Sequence, residues 1–115
     1  NNQIPVFFIE KNNKQLIEEI SSRVKKAIFP ETNTSLSCPA LITALSTRLK
    51  KAITIDNGIM HMMGLANIPM ITLFGPTNSE KFAPKKRNVI ILDSKKLYNS
   101  NDISKITETD VLREI

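Results

Sequence analysis

Along the chain, short apolar runs alternate with segments whose apolar residues recur every three or four positions. Residues 6–9 read as a buried strand, and Leu16, Ile17, Ile20 and Val24 follow at helical spacing behind a cap at Asn12 or Asn13. Residues 27–29 form a second short strand closed by Pro30, and residues 32–37 form a polar loop. Pro39 suits a first helical position, after which Leu41, Ile42, Leu45 and Leu49 make one apolar stripe. A third strand at 52–55 is broken by Asp56-Asn57-Gly58. Residues 59–66, apolar almost all round, suit a short helix inside a domain, ended by Asn67-Ile68-Pro69. Residues 70–74 are a fourth strand, Gly75-Pro76-Thr77-Asn78 is turn chemistry, and residues 89–92 are a fifth strand. The capping box of Thr107 and Asp110 starts a last helix carrying Val111, Leu112 and Ile115. There is no internal repeat, low-complexity tract or dividing linker.

Strands separated by helices of this length imply βαβ units, and so an α/β domain with a Rossmann-like parallel sheet and flanking helices. Ligands of such sheets bind beyond the carboxyl ends of the strands, where loops lead into helices. Two loops then stand out: Asp56-Asn57-Gly58-Ile59-Met60-His61 after the third strand, and Gly75-Pro76-Thr77 after the fourth.

The first loop has the makings of an anion site. The opening N–H groups of a helix lack internal partners and sit at the positive end of its dipole, so Gly58, Ile59 and Met60 are placed to donate to phosphate oxygens. Gly58 lets a ligand approach the backbone closely. Asp56, acceptor-only when ionised, suits sugar hydroxyls better than phosphate. His61 would add a donor from the first turn. Plainer readings stand beside these. Asn57-Gly58 is also a hairpin signal that would pair residues 53–55 with 59–61, although Pro69 and a fresh apolar strand favour a helical crossover. His61 would also serve as a satisfied core histidine or a helix-end structural residue, and Asp56 as an N-cap. Met60, Met62 and Met63 suit core packing better than a metal or cofactor box.

The chain has 115 residues, 41% hydrophobic and 23% charged, which fits one globular domain and excludes disorder throughout. Cys38 is the single cysteine, so neither an internal disulfide nor a multi-cysteine zinc site is possible, and a reducing, cytoplasmic setting is the default. No apolar stretch reaches the roughly 20 residues a membrane helix needs. The chain opens Asn1-Asn2-Gln3 without an initiator Met, as expected of a piece of a longer protein.

The run Asp56-Asn57-Gly58-Ile59-Met60-His61-Met62-Met63-Gly64-Leu65-Ala66, followed by Ile68-Pro69-Met70-Ile71-Thr72-Leu73-Phe74-Gly75-Pro76-Thr77, resembles the C-terminal domain of glycosyltransferase family 9, the heptosyltransferase-like enzymes of bacterial lipopolysaccharide synthesis. That pattern is Asp, Ser or Thr, Gly, two variable residues and His, then a helix, a Pro-led strand and a Phe-Gly-Pro-Thr turn. Asn57 replaces the hydroxyl residue, and residues 10–13 lack the glycine-rich turn that usually follows the first strand. The resemblance implies the C-terminal half of a two-domain GT-B fold that binds an ADP-heptose-like nucleotide-diphosphate sugar. Transfer would invert the anomeric centre without metal or other cofactor. The acceptor, a lipid-linked saccharide, and the general base would belong to an N-terminal domain outside this chain. Asp56 would contact the donor sugar, the backbone of Asn57, Gly58 and Ile59 would hold the diphosphate, His61 would support that loop, and Gly75, Pro76 and Thr77 would complete the donor site. Glu10 is a candidate for the ribose, with an exposed loop carboxylate as the plainer reading, and residues 36–38 for the wall of the base pocket.

Sixteen Lys and Arg against eleven Asp and Glu give a net charge of +5. The basic pairs Lys25-Lys26, Lys50-Lys51 and Lys95-Lys96 and the run Lys85-Lys86-Arg87 are scattered and lack interleaved aromatics, which argues against nucleic acid. They read as solvated surface, or else as peripheral contacts with an anionic inner membrane at about 1 kcal/mol per residue close to the surface. The competing function is a non-catalytic nucleotide-binding module or degenerate donor domain, motivated by Asn57 and the missing glycine turn.

Overall fold

A computed structural model describes residues 3–9, 12–30, 39–83 and 88–115. The chain divides into two compact units, residues 1–38 and 39–115.

In the first unit, α1 spans Lys14–Arg23, and the Asn13 side chain accepts from the Leu16 amide at 3.3 Å, so the cap is the second of the two expected asparagines. The two strands expected here are reduced to one parallel bridge between Val6 and Ile28. Phe7 N–H donates to the Ile28 carbonyl at 2.9 Å, and Ile28 N–H to the Pro5 carbonyl at 3.0 Å. Pro5 and Pro30 flank this pairing without an N–H to give, which keeps the ladder short. Phe7 and Phe29 stack with ring centroids 5.8 Å apart.

The second unit holds a three-stranded sheet in the order β1-β2-β3: β1 is Ala52–Ile55, β2 Met70–Phe74 and β3 Val89–Asp93. Both pairings are parallel, with Ile55 opposite Leu73 and Phe74 opposite Asp93. Residues 59–61 lie in a helix rather than a return strand, which excludes the hairpin at Asn57-Gly58. The crossover between β1 and β2 is α3, Gly58–Leu65, and α2, Pro39–Ser46, packs on it. The Thr43 hydroxyl fastens the two by donating to the Met62 carbonyl at 2.9 Å. Asn67 stops the α3 segment in the left-handed conformation, φ 58°, which asparagine tolerates better than most residues.

The core lies on β2, where Met70, Ile71, Thr72 and Phe74 are buried, and on α3, where buried Met60 and Met63 bear out the packing reading while Met62 is only half buried. Thr54 and Thr72, paired across β1 and β2, are buried and satisfy each other at 3.3 Å. Burial alternates along β1, leaving Ile53 and Ile55 half exposed.

Three short elements beyond the expected ones complete the unit. They are α4, Ser79–Phe82, then α5, Ser94–Tyr98, directly after β3, and a 3-10 turn at Ile103–Lys105. The last helix, α6, is Glu108–Leu112, and its capping box forms as expected: Asp110 N–H donates to Thr107 Oγ1 at 3.1 Å, and Thr107 N–H to Asp110 Oδ2 at 2.9 Å. Among the described residues, no helix is long and apolar enough to cross a membrane.

Candidate functional site

Adjacent parallel strands bring the two motif loops to the same end of the sheet. β1 runs into Asp56, whose N–H donates to the Leu73 carbonyl at 3.2 Å and so carries the ladder one residue past the strand. Its neighbour β2 runs into Gly75-Pro76-Thr77. Asp56, Asn57, Gly58 and Ile59 therefore lie beside Gly75, Pro76 and Thr77 at the carboxyl edge, where α/β sheets bind ligands.

Within the first loop the structure redistributes the expected roles. Asn57, not Asp56, is the N-cap of α3: its backbone is extended and its Oδ1 accepts from Met60 N–H at 3.2 Å. The Met60 amide is thus taken by protein, and the donors left at this helix start are Gly58 and Ile59. The Asp56 carboxylate, half buried, has no hydrogen-bond partner among the described residues. His61 is exposed in the first turn of α3, which removes the core-histidine reading. The substitution of Asn57 for a hydroxyl residue is physically mild, because Asn, Ser and Thr all cap helices by the same acceptor geometry.

In the second loop, Gly75 is buried and packed against the start of the 3-10 turn and the residue two before it. A Cβ there would come within 2.9 Å of Ile103 Cβ, 3.0 Å of the Asn101 carbonyl oxygen and 3.1 Å of the Ile103 nitrogen. The glycine is needed for this close approach of two chain segments. Pro76 is exposed and Thr77 half buried.

Sequence reasoning missed the polar cluster beneath this turn. Asp93, 3% exposed at the end of β3, accepts from the Ser79 hydroxyl at 2.7 Å and the Lys95 N–H at 2.9 Å. Lys95 Nζ lies 3.4 Å from Asp93 Oδ1 and donates to the carbonyls of Gly75 and Thr77. Burial opposes ionisation of Asp93, but the Ser79 and Lys95 hydrogen bonds and the Lys95 charge outweigh it and hold the carboxyl below its ordinary value. Lys95-Lys96 is accordingly not one solvated pair. Lys95 turns inward, while Lys96 makes an exposed ion pair with Glu80 at 3.2 Å. The available signal was an aspartate closing an apolar strand, which needs a cation once buried.

Among the described residues, no group of three or more His, Cys, Asp or Glu is placed to hold a metal ion. Glu10, the 36–38 wall and Lys85-Lys86-Arg87 lie outside the described residues.

The layered arrangement is that of a Rossmann-like α/β domain, and known structures share it. The crystal structure of the glycosyl transferase family 9 from Veillonella parvula DSM 2008 is similar to this chain with a TM-score of 0.73 at 20% identity, over 96% of this chain and 35% of that one. At that identity the likeness is one of fold, and the chain spans about a third of that protein's length. The model of glycosyltransferase family 9 (heptosyltransferase) matches residues 1–112, and the chain belongs to that family. No curated protein matches it.

Proposed function

We propose that the chain is the donor-binding C-terminal half of a family 9 glycosyltransferase, taking a nucleotide-diphosphate sugar of the ADP-heptose kind. The observation that carries this reading is the meeting of the Asp56–Ile59 loop and the Gly75–Thr77 turn at the carboxyl ends of paired strands. Gly58 and Ile59 would give their amides to the diphosphate, Asp56 would accept from sugar hydroxyls, and exposed His61 would add a donor beside them. Charge growing on the departing nucleoside diphosphate would be stabilised by these fixed donors, which is how such a loop lowers a barrier. Transfer would be inverting and metal-independent, to a lipid-linked saccharide held with the general base by an N-terminal half. The setting would be cytoplasmic, with basic residues resting on the anionic inner leaflet.

Titration with ADP and ADP-sugars, followed by amide NMR, tests donor binding. The Gly58 and Ile59 resonances should move while Met60, whose amide is capped, moves less. No shift at millimolar ligand sinks the reading. For the membrane contact, co-sedimentation should favour anionic over neutral vesicles, and equal partition excludes it.

A further inference from the structure

Lys95 belongs to neither motif, yet it grips one of them. Its ammonium donates to the Gly75 carbonyl and, at 2.7 Å, to the Thr77 carbonyl, and it faces Asp93 Oδ1 at 3.4 Å. Two of its N–H donors go to backbone carbonyls and its charge is paired with Asp93, so it acts chiefly through the backbone it holds. Asp93 is itself immobilised by Ser79 Oγ and the Lys95 amide, which makes the cation's position rigid.

The turn needs such a brace. Among the described residues no backbone hydrogen bond from Asn78 N–H to the Gly75 carbonyl closes the turn. A cation bonded to both carbonyls does the work of the missing closure, with stronger, charge-assisted bonds.

We propose that Lys95 is a positioning residue of the donor site, fixing the backbone of Gly75-Pro76-Thr77 for a nucleoside diphosphate, a proposal that rests on the donor-binding reading above. The test uses full-length protein and calorimetric titration with ADP, UDP and GDP as probes. Lys95→Met should weaken the wild type's best nucleotide by about tenfold, the loss expected when a charge-assisted support is removed. Lys95→Gln, which keeps one donor group, should lose less, and Lys95→Arg should recover part of the affinity. The carbonyl carbon resonances of Gly75 and Thr77, which Lys95 bonds, should shift in Lys95→Met. Tyr98→Phe, which removes the hydrogen bond from Tyr98 to Asp110 at the far end of α5, is the stability control and should leave affinity unchanged. Unaltered nucleotide binding in both Lys95→Met and Lys95→Gln overturns the proposal, as does an equal loss in Tyr98→Phe. A wild-type protein that binds none of the three nucleotides overturns the donor-binding reading and this inference with it.

Discussion

Gly75→Ala separates two explanations for the glycine in the Phe-Gly-Pro-Thr turn. If it is there to admit a ligand, the variant should keep its stability and lose affinity. The geometry instead places the new methyl 2.9 Å from Ile103 Cβ, 3.0 Å from the Asn101 oxygen and 3.1 Å from the Ile103 nitrogen. Two of these neighbours are backbone atoms, and the third is a Cβ that no rotamer change moves. Relief therefore requires the chain around 101–103 to shift, at a cost of about 1–3 kcal/mol for overpacking. The smaller unfolded-state entropy of alanine returns about 0.4–1 kcal/mol of that. A net loss near 1–2 kcal/mol corresponds to a melting temperature lower by roughly 4 to 10 °C in a domain of this size. Urea titration should show the same loss as a lower midpoint at an unchanged slope. A variant that melts within about 1 °C of the wild type refutes the packing argument.

Three other outcomes are expected. Asn57→Ala should cost about 1 kcal/mol by uncapping α3, while Asn57→Ser should stay within a few tenths; equal losses in chemical denaturation would show that the cap is not the reason. Asn67→Ala should cost about 1 kcal/mol because alanine resists the left-handed conformation, whereas Asn67→Gly should be near neutral. Acid should destabilise the fold through Asp93, Asp102, held low by Ser104, and Asp110, held low by Tyr98 and Thr107. Their folded values lie below their unfolded ones, so this stability is present above about pH 4 and drains as pH falls through the lower folded values. Ser79→Ala should shallow that loss, and denaturation midpoints that stay level down to about pH 2 would contradict the assignment.

Much of this was legible in the sequence, where local chemistry decides the outcome. The Asn13 cap, the Thr107 and Asp110 capping box, Pro39 at the head of α2 and the three paired strands all follow from short-range rules, and the placement of both motif loops follows from the parallel sheet. The first unit departs because two prolines beside a three-residue run leave too few donors for a ladder, which apolar content alone does not reveal. α4 and α5 are four and five residues long, below the length at which a 3.6-residue period shows. Lys95 was hidden for another reason: its partners Gly75 and Thr77 lie about twenty residues away and offer only carbonyls, which every residue has.

The alternating burial of β1 bears on how the protein behaves in concentrated solution. Among the described residues β1 borders the three-stranded sheet and presents Ile53 and Ile55 half uncovered, at 51% and 50% exposure, the combination that lets one copy add strands to another. Lys50 and Lys51, both exposed, stand directly before it, where like charge repels a second copy and acts as a gatekeeper against self-assembly. Removing both charges should raise light scattering with no change in melting temperature. Scattering equal to that of the wild type would deny them this function.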